Sequence, residues 1–209
     1  MAVIKKSKGR NPRAATTRPK TEGAIQDALY HRVGLGLKHT IVLPNVHFWG
    51  WESDLVSVSK AGYAYEYEIK VSRADFLAEK RAVERARVYA QDPGSKPGHL
   101  DAKGERDRLL AGDLDCPSLH LPGKVTEKKR QRLERSRPAR FWYVTTPGVV
   151  ESVDEVPEYA GWMEIESPKG KGMVYKDAPL LHRHKLTAAD YENFARLLTF
   201  RVWKARAPS

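Results

Sequence analysis

Cysteine occurs once in the 209 residues, at Cys116, so an intrachain disulfide is excluded and nothing in the cysteine usage points to an oxidising compartment. Long apolar runs are missing as well. No stretch approaches the roughly 18 consecutive apolar residues of a membrane span. Residues 1–20 contain no acid and no apolar stretch of the kind a signal peptide needs. These absences together lead us to expect a chain that works in the cytoplasm and has no membrane partner.

What is abundant is positive charge. Lysine and arginine number 37 against 26 aspartates and glutamates, a formal net charge of +11 with a pI near 9.7. A surplus of that size marks a polyanionic partner: nucleic acid, an anionic membrane surface or an acidic protein. A hydrophobic content of 41% with 30% charged residues fits a folded domain carrying polar extensions. Residues 1–20 hold seven Lys or Arg, with Pro12 and Pro19 breaking any periodicity. They read as a flexible basic arm, either solubilising or phosphate-binding. Residues 21–209 then read as a single domain with an elaborated insertion at about 91–139. That segment has five prolines, five glycines and most of a basic cluster, and only Leu109, Leu110 and Leu114 permit a short helix there.

Thr21 followed by Glu22 is a helix start, and Ala24, Ile25, Ala28, Leu29 and Val33 follow at helical spacing up to Gly34. Gly34-Leu35-Gly36 follows a helix rather than a strand and lacks a third glycine, so it is no dinucleotide loop. Strands are expected at 40–43, 54–59 and 63–71. In the third, Tyr63, Tyr65, Tyr67 and Ile69 share a face and read as core packing. Ser72-Arg73-Ala74-Asp75 is a capping signal for a helix over 73–90, whose thin apolar stripe of Phe76, Leu77, Val83, Ala86 and Ala90 is interrupted by Glu79 and Lys80. A strand is expected at 141–145, with short strands at Val149-Val150 and 162–165. Thr187 through Asp190 caps a last helix that places Tyr191, Phe194, Ala195, Leu198 and Val202 on one face.

The second and third strands carry the chemistry. Residues two apart on a strand share a face, so Glu68 and Lys70 point the same way, with Glu66 one step along. A three-residue loop, Lys60 to Gly62, puts glycine in the left-handed last position and pairs Ser59 with Tyr63. Counting back along that register sets Asp54 opposite Glu68, on the same face. A two-residue loop would instead pair Asp54 with Ile69 and separate the carboxylates. Two carboxylates so close repel unless a cation lies between them, and a hard divalent ion such as magnesium or manganese suits oxygen ligands. The ammonium of Lys70 beside them could hold a water or stabilise charge on a phosphate, which suits phosphodiester hydrolysis.

Asp54 followed by a hairpin to Glu68-Ile69-Lys70 resembles the PD-(D/E)XK nuclease superfamily, with Ser53 where the signature has proline. The continuation Lys70-Val71-Ser72-Arg73-Ala74-Asp75-Phe76 is similar to a bacterial and phage-encoded branch associated with DNA repair or phage DNA metabolism. Val156-Pro157-Glu158-Tyr159-Ala160-Gly161-Trp162 resembles phage homologues. The close resemblance covers roughly residues 50–80. It implies an α/β, restriction-endonuclease-like core: a small mixed sheet flanked by helices in the order αβββαβ. It further implies a magnesium- or manganese-dependent endonuclease with catalytic Asp54, Glu68 and Lys70. The metal would sit on Asp54, Glu68 and an acid of the first helix, for which Glu22 is the candidate, with Glu52 an alternative neighbour. DNA would be the partner, through its phosphates. An inactive DNA-binding protein on the same fold is the other implied possibility.

Arg73 and the cluster Lys128, Lys129, Arg130 and Arg132 are candidate phosphate contacts, or else a solvated face. Ser72 and Asp75 are helix caps first. Cys116, His120, His182 and His184 lack the paired-ligand spacing of a zinc site, and His47 in its aromatic run reads as a loop or core histidine.

Overall fold

Thr21 caps the first helix as its position predicts: its hydroxyl accepts the Ala24 amide at 3.2 Å, and Glu22 lies in the first turn. This helix, α1 (Glu22–Leu29), does not stop at Gly34. It widens into a π-helical stretch, Tyr30–Gly36, that keeps Val33 buried. The structure, a computed structural model, describes residues 19–81, 102–112, 126, 131 and 133–206. Most of the basic arm and the cluster Lys128, Lys129, Arg130 and Arg132 lie outside the described residues.

Three antiparallel strands follow: β1 (Ile41–His47), β2 (Glu52–Val58) and β3 (Ala64–Lys70). Helix α2 begins at Arg73 and is described over 73–81. Ser72 caps it by accepting the Asp75 amide at 3.2 Å. Then come α3 (Ala102–Leu110), β4 (Arg140–Thr145), β5 (Ala160–Ile165), β6 (Gly172–Lys176) and α4 (Ala188–Arg206). The spatial order of the six strands repeats their chain order. The β3–β4 and β4–β5 pairs are parallel and the rest antiparallel. The fold is thus α/β, with a mixed sheet flanked by helices.

Period-two alternation divides the sheet into two faces. On one, Leu55, Tyr67, Ile69, Trp142, Val144, Met163 and Ile165 pack against Ile25, Ala28, Leu29 and Val33 of the first helix. Of the expected tyrosine face, Tyr67 is core and Tyr65 packs partly buried against it, whereas Tyr63 precedes β3 and lies outside this cluster. On the other face, Phe141, Tyr143 and Trp162 meet Phe76 of α2 and Leu110 of α3, while Val56 and Val58 meet Leu109 and Phe194. Helix α3, drawn from the segment read as an insertion, thus closes the core over this second face.

Three local features differ from expectation. Val149 and Val150 form no strand; they lie in a buried turn beside Phe76 and Val156. Strand β6 has no counterpart in the sequence pattern: it is an edge strand with Met173, Val174 and Tyr175 exposed, so burial imposes no alternation on it. Capping of α4 follows its signal, with Asp190 accepting the Thr187 amide at 2.7 Å and Thr187 accepting the Asp190 amide at 3.4 Å. Its expected apolar face does not follow. Only Phe194 is buried, and Leu198 and Val202 are exposed.

Candidate active site

The loop between β2 and β3 closes as the turn chemistry requires. Ser59 N donates to Tyr63 O and Gly62 N to Ser59 O, each at 2.9 Å, with Gly62 at φ 85°. Pairing runs from Val58–Ala64 to Leu55–Tyr67. One residue further in that register, Asp54 lies opposite Glu68. The ladder ends there because a side chain takes over: Asp54 Oδ2 accepts the Ile69 amide at 2.7 Å. Its other oxygen has no hydrogen-bond partner among the described residues.

Glu68 is buried and held from two sides. Lys70 Nζ donates to its Oε1 at 2.7 Å, and Arg106 Nη1 donates to its Oε2 at 2.7 Å. The same two cations also hold Glu79, with Lys70 at 2.5 Å from Oε2 and Arg106 Nη2 at 2.5 Å from Oε1. Asp75 lies 3.7 Å from the lysine ammonium. The Arg106 guanidinium lies over the Phe141 ring at 5.3 Å, and its Nε is 3.4 Å from Asp107. The hydroxyls of Tyr143 and Tyr159 donate to Glu79 and Asp107, each at 3.1 Å. Buried charges persist when paired and hydrogen-bonded, and this network supplies that pairing through residues far apart in sequence, Asp107 Oδ2 alone of the Asp107 carboxylate being left without a hydrogen bond.

The electrostatics separate the carboxyls. Burial, then the negative charge of Glu68, pushes Asp54 up to about 7. The Ile69 amide and Lys70 oppose the rise, and Glu22 adds to it. Glu22 therefore lies close enough to be felt at Asp54. Gln26 links them, donating to Glu22 Oε1 at 3.2 Å, to Asp54 O at 2.9 Å and to Asn45 Oδ1 at 2.6 Å. Burial alone would lower Lys70, but Glu68 and Glu79 outweigh it and hold the ammonium above its ordinary range. Glu66 is pushed up to about 8 by burial, against the pull of Arg106. Its Oε1 accepts Trp51 Nε1 at 2.8 Å and Ser53 Oγ at 2.9 Å, while Oε2 is buried without a hydrogen-bond partner.

The remaining candidates fall elsewhere. Arg73 donates to Glu155 through its two terminal nitrogens, Nη1 and Nη2, and Nη1 also donates to Val149 O at 3.1 Å. That pairing holds Glu155 down to about 2. Glu52 faces His47 at 3.8 Å on an exposed strand end. His182 bonds the Arg137 carbonyl at 2.9 Å and His184 bonds Glu134 at 3.1 Å, so both have structural partners.

Among the described residues no three His, Cys, Asp or Glu side chains close on one point. The donor set around Asp54 is nevertheless all oxygen. It includes the Asp54 carboxyl, raised first by burial and then by the charge of Glu68, with one oxygen open, and a hard divalent cation is the kind of ion that oxygen donors take. The acids nearest such a position are Asp54, Glu68 and Glu22, and both Glu68 oxygens are already bound by Lys70 and Arg106.

Two residues escaped the sequence reading. Glu79 carried a signal: it stands three residues after the buried Phe76, on the inward stripe, where an acid implies a buried partner. Arg106 carried none, because its segment showed no core pattern.

No family model matches this chain, and no curated protein does. Among solved structures it is similar to a protein described as SPO1766, of unknown function, from Silicibacter pomeroyi. The two share 14% identity over 82% of this chain and 86% of that one, with a TM-score of 0.43. At that level the likeness carries no argument about family or activity.

Proposed function

We propose that this protein is a metal-dependent nuclease of the PD-(D/E)XK type that hydrolyses DNA phosphodiester bonds. The observation that carries this reading is the hairpin register, which sets the raised Asp54 carboxyl beside Glu68 with Lys70 on the same strand face. A restriction-endonuclease-like core belongs to the same reading, supported by the order of one helix, three antiparallel strands, helix α2 and, after the additional helix α3, a parallel strand. So do the roles in DNA repair or phage DNA metabolism, in the cytoplasm of a bacterial or phage-infected cell, that the motif resemblance implies.

Asp54 and Glu68, with Glu22 at the margin, would hold magnesium or manganese. When bound, that ion supplies charge neutralisation at phosphorus and an activated water. Lys70 is held above its ordinary pKa, so at neutral pH it keeps its proton. It therefore acts as a fixed positive charge and hydrogen-bond donor toward water or a phosphate oxygen, rather than as a base. Glu79 and Arg106 are positioning residues: they fix Lys70 and Glu68 and make no contact with the scissile bond. The net positive charge of the chain suits a polyanionic partner.

A second reading, a DNA-binding protein without turnover, draws on one observation: both Glu68 oxygens are already held by Lys70 and Arg106. Incubation with supercoiled, linear and branched DNA in magnesium, manganese or EDTA separates the two. Hydrolysis predicts metal-dependent products that fall at least roughly 100-fold in Asp54→Ala and Lys70→Ala. Cleavage that survives both substitutions rules out this site. DNA binding with no products under any metal favours the second reading.

A further inference from the structure

Helix α4 is anchored by a narrow stripe and leaves the rest of its surface open. Phe194 is buried and stacks on Phe48 at 4.1 Å, and Arg201 donates to the Asn45 carbonyl. Away from that stripe, Phe200 is 69% exposed and Trp203 65% exposed, with Leu198 and Val202 also open. At 100° per residue, Arg196, Phe200 and Trp203 cluster on the side directly opposite Phe194, and Arg206 flanks them. From residue 193 to 206 the helix carries Arg196, Arg201, Lys204 and Arg206 and no acid.

A surface helix normally hides its large apolar groups on one face and exposes its charges on the other. Here bulky rings and cations alternate around the outer circumference. A second copy of this chain would bring like-charged helices together. A membrane surface would require the apolar groups on one continuous side, and Arg196 and Arg206 interrupt it. Rings that offer flat faces, spaced by cations, suit a ligand that presents both bases and phosphates.

We propose that the outer face of α4 is a stacking platform for single-stranded nucleic acid. Bases stack on Phe200 and Trp203, and Arg196, Lys204 and Arg206 take the phosphates. The anchored side of α4, rather than the platform, touches β1 near the candidate active site. Arg201 binds the carbonyl of Asn45, and the β1–β2 register, which pairs Pro44 with Leu55 and Val46 with Ser53, sets Asn45 opposite Asp54. The proposal concerns binding alone and stands whether or not Asp54 and Glu68 cut.

The test is fluorescence anisotropy of a labelled oligothymidylate of roughly thirty nucleotides, measured in EDTA so that hydrolysis plays no part. The full chain is compared with Phe200→Ala/Trp203→Ala, with Phe200→Tyr/Trp203→Phe and with the duplex form of the oligonucleotide. Both side chains are exposed, so the variants keep the wild-type far-ultraviolet circular dichroism. Support is at least about a 10-fold loss of affinity in the alanine pair, recovery to within about threefold in the aromatic pair, and weaker binding of the duplex. Unchanged affinity in the alanine pair overturns the platform. So does co-sedimentation with phosphatidylglycerol vesicles, or a dimer in sedimentation equilibrium, that disappears in the alanine pair while oligothymidylate binding persists. Failure of cleavage with retained binding would count against hydrolysis only.

Discussion

Replacing Asp54 by asparagine should abolish activity and yet make the metal-free protein more stable at alkaline pH. Asp54 is raised from 3.8 to about 7 by burial and by the charge of Glu68. A carboxyl raised in the folded state binds its proton more tightly there than in the unfolded chain. Its contribution is therefore intact at low pH, is lost as pH climbs from about 4 to about 7, and is fully lost above that window. A shift of that size corresponds to a ceiling of about 4 kcal/mol. Asp54 is partly open to solvent, which brings the usable figure to about 2 kcal/mol. Asparagine removes the charge and keeps an oxygen for the Ile69 amide. In EDTA at pH 8 the Asp54→Asn variant should melt about 4–8 °C above the wild type, and at pH 4 the two should coincide within about 1 °C. Saturating manganese at pH 8 should raise the wild type and leave the variant unmoved, reversing the order. Glu66, which titrates near 8, affects both proteins alike and cancels in the difference. Scanning calorimetry decides it. A variant that melts below the wild type at pH 8, or a difference that does not change between pH 4 and pH 8, refutes the claim that the site holds unrelieved negative charge.

Other perturbations probe the support of the site. Arg106→Met strips a cation from Glu68, Glu79 and Asp107 while keeping a long apolar side chain over Phe141. It should cost about 3–5 kcal/mol, seen as a lower urea midpoint, and a midpoint within error of wild type would show that the buried network does not need the guanidinium. Gly62→Ala forces a side chain into a left-handed position and should cost about 1–2 kcal/mol by thermal melting. Gly23→Ala, on an exposed turn of α1 with open space around it, should gain about 0.5–1 kcal/mol. Equal effects at the two glycines would contradict the assigned hairpin.

The sequence alone was sufficient for whatever rests on short-range rules. Thr21, Ser72 and Thr187 cap their helices because a side-chain oxygen needs only an amide two or three residues away. The Asp54–Glu68 register was legible because Gly62 dictates the loop and the period of a strand carries that choice down the hairpin. Tertiary structure decided which charges are buried together. Arg106 meets Glu68 and Glu79 across 38 and 27 residues, a pairing no local periodicity encodes. It arises because α3 closes over the sheet face that β3 and α2 share, and a charge taken from water there must find its counter-charge in whatever the fold brings near. The same holds for α4. Its capping could be read from four residues, but whether its apolar groups are core or surface depended on how much of the sheet was left to cover, and only Phe194 found a place there.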